Sequence, residues 1–130
     1  MKIKRIGHYN LVGSASLIAR VITFYKDVLG FTEGFRPDFG VAGAWLYIGD
    51  SPLLHLTIME SMEDSAVSTG NLDHIALDCE GLNAFMARLN EKGVEYLVGK
   101  VPELNMTQLF IHDPAGTRIE LNFTETESQC

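Results

Sequence analysis

The sequence contains little cysteine, little positive charge and no long apolar run. Its two cysteines, Cys79 and Cys130, are too few for the disulfide framework of a small secreted protein. Ten Lys and Arg residues against 17 Asp and Glu give a net charge of −7, which opposes binding to a nucleic-acid backbone. No segment approaches the roughly 18 consecutive apolar residues of a membrane-spanning helix, and the first residues lack a signal-peptide core. We therefore expect a cytoplasmic protein that binds a small molecule, not nucleic acid or a membrane.

The length and composition suit one domain with a substantial core. The chain has 130 residues, of which 46% are hydrophobic. We expect a first unit over residues 1–60, a polar linker over 61–70, a second unit over 71–124 and a frayed tail over 125–130.

The apolar pattern predicts the same element order twice: a strand, a helix and three more strands. Ser14 or Ser16 is expected to cap the first helix and Gly30 to end it, while Gly93 ends the second helix. The predicted strands are 3–12, 31–37, 42–49, 53–60, 72–79, 95–101, 106–112 and 117–123, and the second helix covers 81–92. The fold class is therefore α+β, built from two βαβββ units.

Residues able to bind a metal recur at equivalent positions of this repeat. His8 and His74 lie on the first strands of the two halves, and His55 and Glu120 lie on the last strands. Three imidazoles and one carboxylate suit a divalent ion such as Zn, Ni, Fe, Co or Mn. A lone strand histidine is more often a hydrogen-bonded structural residue, but the repeat favours a metal centre. The fourth histidine, His112, is expected at a strand end near solvent.

Glu120 supports this prediction most directly. It lies between Ile119 and Leu121 on an apolar strand, where a carboxylate needs a partner. A bound metal ion would provide that partner.

Three segments resemble the vicinal-oxygen-chelate superfamily, which includes glyoxalase I, methylmalonyl-CoA epimerase, extradiol dioxygenases, and fosfomycin and bleomycin resistance proteins. They are residues 24–31 (FYKDVLGF), 72–77 (LDHIAL) and 113–121 (DPAGTRIEL). The resemblance implies an incomplete barrel, with one divalent metal per site held by His8, His55, His74 and Glu120. It also implies a homodimer in which His8 and His55 meet His74 and Glu120 across the interface, although pairing within one chain stays open.

The resemblance implies glyoxalase-like lyase or isomerase chemistry on a small substrate with vicinal oxygens. The metal would polarise a carbonyl and stabilise an enediolate, and Glu120 would act as the base, the alternative being that it is only a ligand. His55 stands where glyoxalase I has Glu or Gln, and Val12 and Met59 replace residues that bind glutathione in bacterial glyoxalases. We therefore do not expect the ordinary glutathione adduct as substrate, and the use of another thiol stays open.

Two alternative functions remain. An extradiol dioxygenase would use His8, His74 and Glu120, but Phe110 replaces its catalytic tyrosine and disfavours ring cleavage. A protein that sequesters a toxin or an antibiotic has no need of the metal ligands, which bleomycin-binding relatives lack.

Five further residues are candidates for the substrate pocket. Arg36 and Arg118 would bind anionic groups of the substrate, unless they are only solvated charges at strand edges. Trp45, Tyr47 and Phe110 would form an apolar wall, although core packing is the alternative for at least one of them.

Overall fold

The computed structural model describes residues 1–60 and 71–124. The expected linker (61–70) and tail (125–130) lie outside these residues. The chain divides into two compact units, Met1–Ala66 and Val67–Cys130. Each unit contains one four-stranded sheet and one α-helix, which confirms the predicted α+β class and the repeated βαβββ order. Among the described strands, neither sheet closes into a barrel.

The first unit places its two long strands at the centre of the sheet. Its elements are β1 (Tyr9–Gly13), α1 (Ala15–Asp27), β2 (Thr32–Gly34), β3 (Gly43–Ile48) and β4 (Ser51–Ile58). The strand order is β1-β4-β3-β2, with β1 parallel to β4 and the other pairs antiparallel. The side chain of Ser14 accepts a hydrogen bond from the backbone N–H of Leu17 at 3.1 Å, so Ser14 is the helix cap. Gly30 follows the helix with a φ of 78°, as the sequence predicted.

The second unit repeats this topology. Its elements are β5 (Ile75–Asp78), α2 (Leu82–Glu91), β6 (Leu97–Val101), a short 3₁₀ turn (Pro102–Leu104), β7 (Met106–His112) and β8 (Arg118–Thr124). The strand order is β5-β8-β7-β6, again with one parallel pair at the first strand. The 3₁₀ turn between β6 and β7 was not expected from the sequence.

Strand alternation separates a core face from an open face in each sheet. The core faces carry fully buried side chains, among them Leu54 and Leu56 in β4 and Ile119, Leu121 and Phe123 in β8. Phe123 meets Phe85 of α2 edge-on, with ring centroids 5.4 Å apart, so the helix packs on this face. Residues of the opposite parity are only partly buried and form the open face. His55 and Glu120 both belong to an open face.

Three predicted strands were much too long. The strand predicted from residue 3 pairs with β4 only from Tyr9 onwards, so residues 1–8 are exposed and His8 lies one residue before β1. The strand predicted over 72–79 covers only Ile75–Asp78, so His74 likewise lies one residue before its expected strand, β5. The strand predicted over 31–37 ends at Gly34, where its pairing with β3 stops. Within residues 1–60 and 71–124, no helix has both the length and the apolar character needed to cross a membrane.

Candidate functional site

Three aromatic rings stack across the open face of the first sheet. Trp45 and His55 are register partners on β3 and β4. Their ring centroids are 4.0 Å apart and their planes differ by 12°. His8 stacks on His55 with a centroid distance of 3.8 Å and an angle of 9°. Because both rings are nearly parallel to His55 and too close to share one of its faces, Trp45 and His8 cover opposite faces of the His55 ring.

The stack continues towards the edge of the sheet. The ring of Phe39, in the segment between β2 and β3, lies 6.0 Å from Trp45 at a tilt of 37°. The guanidinium carbon of Arg36 lies 5.1 Å from the centre of the Phe39 ring, and Arg36 Nη1 donates to the carbonyl oxygen of Val41 at 3.1 Å. Arg36 therefore marks the cationic end of this aromatic row.

His55 has one ring nitrogen that is buried without a partner. Its Nε2 is buried and has no hydrogen-bond partner among the described residues. Burial lowers the pKa of His55, the nearby His8 and Arg36 lower it further, and a hydrogen bond with the backbone of Pro52 partly offsets them. The neutral imidazole is the form that offers a lone pair to a metal ion.

In the second unit, a carboxylate orients His74. His74 Nδ1 lies 2.7 Å from Asp73 Oδ2, and because an ionised carboxylate can only accept, Nδ1 carries the proton of this hydrogen bond. The hydrogen bond from His74 lowers the pKa of Asp73, and the charge of Arg118 adds to this effect. When His74 is neutral, its lone pair is therefore on Nε2.

The Nε2 atom of His74 lies close to a second carboxylate. His74 Nε2 lies 3.4 Å from Glu120 Oε1. The other carboxylate oxygen, Glu120 Oε2, accepts a hydrogen bond from Asn122 Nδ2 at 2.8 Å. Asn122 Oδ1 in turn accepts from Gln108 Nε2 at 3.2 Å. This chain of side chains on β7 and β8 fixes the carboxylate with Oε1 turned towards His74.

Arg118 and Phe110 lie beside this pair. Arg118 Nη1 donates to Asp73 Oδ2 at 3.0 Å, and its guanidinium carbon lies 4.8 Å from the centre of the Phe110 ring. Phe110 is the register partner of Glu120, as Trp45 is of His55. The repeat thus places an aromatic side chain beside the last-strand ligand candidate in both units.

The donor set fits a divalent ion in part. Two ligand atoms of one ion lie about 3.0 to 3.4 Å apart, given bonds of about 2.1 Å and octahedral to tetrahedral angles. His74 Nε2 and Glu120 Oε1, at 3.4 Å, meet this condition. His8 and His55 do not meet it as stacked, because ring nitrogens bind a metal in the ring plane and one ion cannot lie in two parallel planes. Within either unit, the described residues include no group of three or more metal-binding side chains.

Sequence reasoning overlooked several residues of these arrangements. Asp73 was part of a recognised motif but had no assigned role, although it directly precedes His74. Asn122 follows Glu120 by two residues, and strand periodicity places both on one face. Among the predicted pocket residues, Tyr47 is not part of the stack. Its hydroxyl donates to the carbonyl oxygen of Phe35 at 2.6 Å and so holds the segment after β2 against β3.

Comparison with known proteins assigns the family. Residues 5–121 match the model of the glyoxalase/bleomycin resistance protein/dioxygenase superfamily. The chain is 32% identical over 124 residues to Glyoxylase I 4 of Arabidopsis thaliana, covering 88% of this chain and 71% of that protein.

Solved structures share the fold. A protein from Bacillus anthracis assigned to the glyoxalase family matches with a TM-score of 0.75 at 20% identity, covering 95% of this chain and 98% of that one. TnmS3, an antibiotic-binding protein from Streptomyces sp. CB03234, matches with a TM-score of 0.68 at 21% identity, covering 95% and 98%. The family model and the Arabidopsis relative together show that the chain belongs to the glyoxalase/bleomycin resistance protein/dioxygenase superfamily.

Proposed function

We propose that the protein is a divalent-metal-dependent lyase or isomerase of the glyoxalase type, acting on a small substrate with vicinal oxygens. The observation that carries this proposal is the 3.4 Å approach of His74 Nε2 to Glu120 Oε1. Asp73 and Asn122 orient the two groups so that, when His74 is neutral, lone pairs of Nε2 and Oε1 face each other. Such a pair is stabilised when a cation lies between its atoms.

In this proposal His8, His55, His74 and Glu120 hold one ion, which is Zn, Ni, Fe, Co or Mn by the chemistry of these donors. The unpartnered Nε2 of His55 supports the inclusion of the first unit. When bound, the ion supplies Lewis acidity that polarises a substrate carbonyl.

Glu120 is the proposed base. As the base, Oε1 would be free of the ion when it takes the proton from the C–H group beside the carbonyl, which leaves the enediolate form of the substrate, and it would return that proton to the neighbouring carbon. The hydrogen bond from Asn122 holds Oε2 throughout, so the transfer takes place at one defined oxygen atom. The Glu120 side chain is only 15% exposed, which limits competition from water.

The remaining candidates are proposed to shape the substrate pocket. Arg36 and Arg118 each lie over an aromatic ring at the margin of an open face, where they bind anionic groups. Trp45 and Phe110 supply apolar walls on the two sheets. Tyr47 is also a proposed wall residue, and its hydroxyl supports the segment after β2 by donating to the carbonyl oxygen of Phe35.

The proposal requires both units, because each holds only two of the four ligands. We propose that they act together as one domain, and that two copies form a cytoplasmic homodimer in which ligand pairs of different chains meet. Sedimentation at micromolar concentration tests the dimer, and a monomer that still binds the metal would restrict the site to one chain.

Sequestration of a small aromatic molecule is the second candidate. The aromatic row of Phe39, Trp45, His55 and His8 favours this function. Aromatic rings bind flat ligands by stacking, and such binding needs no reaction of the ligand. The structural neighbour TnmS3 is an antibiotic-binding protein. Extradiol ring cleavage is disfavoured, since Phe110 offers no hydroxyl beside Glu120.

Metal analysis and a substrate screen test the proposal together. The metal-free protein is reloaded with Zn, Ni, Mn, Co or Fe(II), and bound metal is measured in the wild type and in the His74→Ala, Glu120→Ala double variant. The loaded protein is then offered α-hydroxycarbonyls, thiol adducts of methylglyoxal, fosfomycin with thiols, and catechols under oxygen. We expect about one ion per site and turnover of a substrate that a chelator abolishes. Tight ligand binding that is insensitive to chelator, with no turnover, would support sequestration instead.

A further inference from the structure

The Trp45 ring forms a specific stacking contact with the imidazole ring of His55. A centroid distance of 4.0 Å and an interplanar angle of 12° describe face-to-face stacking over the imidazole. Directly opposed residues on antiparallel strands have Cβ atoms about 4.5–5.5 Å apart, so the Trp45–His55 register brings the two rings together.

Trp45 is also placed on the wrong side of the sheet for a core residue. Its strand neighbours Ala44 and Leu46 are buried, whereas Trp45 is only partly buried on the open face. Its other ring contact is Phe39, at 6.0 Å and tilted by 37°. The indole therefore contributes more to the open face than to the hydrophobic core.

We propose that Trp45 is a positioning residue for His55, which restrains rotation of the imidazole ring so that less conformational freedom is lost when Nε2 binds the metal ion. This inference rests on the proposed metal centre. The ring of a histidine rotates broadly about χ2, and a ligand that must be ordered on binding loses affinity. An indole stacked on one face blocks that rotation before the ion arrives.

His8 is a weaker restraint than Trp45. It is exposed and precedes β1, whereas Trp45 lies within β3 and is held by pairing on both sides. As a proposed ligand, His8 also leaves the stack when it turns towards the ion. Trp45 is then the ring that keeps His55 in place.

The test compares Trp45→Leu, which keeps apolar bulk but removes the stack, with Trp45→Phe, which keeps an aromatic face. Phe39→Leu is the matched control, because it removes a ring from the same row that does not stack on His55. Zn²⁺ affinity is measured by competition with a chromophoric chelator, and thermal unfolding of the metal-free proteins is followed by circular dichroism. We expect Zn²⁺ binding to weaken about tenfold or more in Trp45→Leu and to stay within about threefold of wild type in the other two variants.

A second measurement, by NMR, follows the orientation of the His55 ring directly. In the metal-free wild type, nuclear Overhauser contacts are expected between the Trp45 and His55 ring protons, and in Trp45→Leu the His55 ring resonances are expected to broaden or shift. Equal Zn²⁺ affinity in wild type and Trp45→Leu would overturn the positioning role and leave the metal centre intact. Equal weakening in Phe39→Leu would also overturn it, because the effect would then not depend on stacking. A wild type that binds no metal would instead refute the proposed function on which the inference rests.

Discussion

The imidazole rings of His8 and His55 are stacked at 3.8 Å and are parallel to within 9°. Both are proposed ligands of one ion, yet a ring nitrogen binds a metal through a lone pair in the plane of the ring. In the stacked arrangement the two lone pairs run side by side and do not converge. His8, which is exposed and outside the sheet, therefore has to turn away from His55 before both bind.

The first prediction is that metal loading separates these two rings. Nuclear Overhauser contacts between the ring protons of His8 and His55 should be present in the metal-free protein and disappear with Zn²⁺, while contacts between Trp45 and His55 persist. The variant His8→Phe keeps a ring for stacking but has no donor, so its Zn²⁺ affinity should fall at least tenfold. His112→Phe, at the exposed end of β7, is the control and should bind Zn²⁺ as wild type does. Persistence of the His8–His55 contacts in the loaded protein would contradict the prediction.

The second prediction concerns Glu120. Glu120→Gln keeps the size of the side chain and an oxygen for Asn122, but removes the basic carboxylate. We expect kcat on a substrate identified in the screen to fall by about 10²- to 10⁴-fold, with a smaller loss of Zn²⁺ affinity. The matched control is Glu103→Gln on the exposed 3₁₀ turn, which should retain full activity. Unchanged kcat in Glu120→Gln would show that the carboxylate is not the base.

The third prediction concerns Asp73, which accepts from both His74 Nδ1 and Arg118 Nη1. In Asp73→Asn the neutral side chain no longer favours the proton on Nδ1, so more of His74 carries it on Nε2, where it blocks a metal. Zn²⁺ affinity should fall about tenfold, and nitrogen chemical shifts of the His74 ring should show the change of tautomer. Asp27→Asn, at the end of α1, provides a control that leaves both quantities unchanged. An unchanged His74 tautomer would refute this role of Asp73.

The open-face positions of the candidate ligands followed from strand alternation. Ile119 and Leu121 flank Glu120, and burying these two apolar side chains on one face leaves the carboxylate on the other. The same reasoning placed His55 between Leu54 and Leu56. The pattern of buried neighbours is local, so the sequence alone was sufficient to predict it.

The contacts between side chains were beyond this reasoning. The stack of Trp45 on His55 depends on the register of β3 and β4, which a local pattern does not determine. Phe39 joins the row from a loop, where no periodicity exists. The strand predicted from residue 3 also ignored the need for a backbone partner, which is present only from Tyr9 onwards. Long-range pairing therefore decides the details of the site.

The fourth prediction is about stability and concerns the turn between β7 and β8. Asp113 is buried, and its Oδ1 accepts hydrogen bonds from the backbone N–H groups of Ala115 and Thr117, both at 2.9 Å. Asp113→Ala leaves these donors without that acceptor and should lower the free energy of unfolding by about 2–4 kcal/mol in urea titrations. Asp50→Ala, in the exposed turn between β3 and β4, should change it by less than about 0.5 kcal/mol. A similar effect of the two substitutions would exclude the turn hydrogen bonds as the cause.

The fifth prediction concerns the reactivity of Cys79 in the folded protein. Burial raises the pKa of its thiol to about 11, the neighbouring charge of Asp78 adds to this, and a hydrogen bond with the backbone of Asn122 opposes it. Since the thiolate is the reactive form, alkylation by iodoacetamide at pH 8 should be about 100-fold slower than for a thiol of ordinary pKa near 9. The measurement uses Cys130→Ser, in which Cys79 is the only cysteine, and the same protein unfolded in guanidinium as the reference.

The raised pKa of the Cys79 thiol predicts that the folded protein loses stability as the pH rises. A pKa raised on folding means that the folded state keeps its proton longer than the unfolded chain does. The contribution of the neutral thiol is fully present below pH 9 and is lost as the pH rises towards 11. In the Cys130→Ser background, Cys79→Ala should therefore show a weaker loss of stability between these two pH values, as measured by urea unfolding. Alkylation of the folded protein at the rate of the unfolded chain would show that the thiol is not shielded.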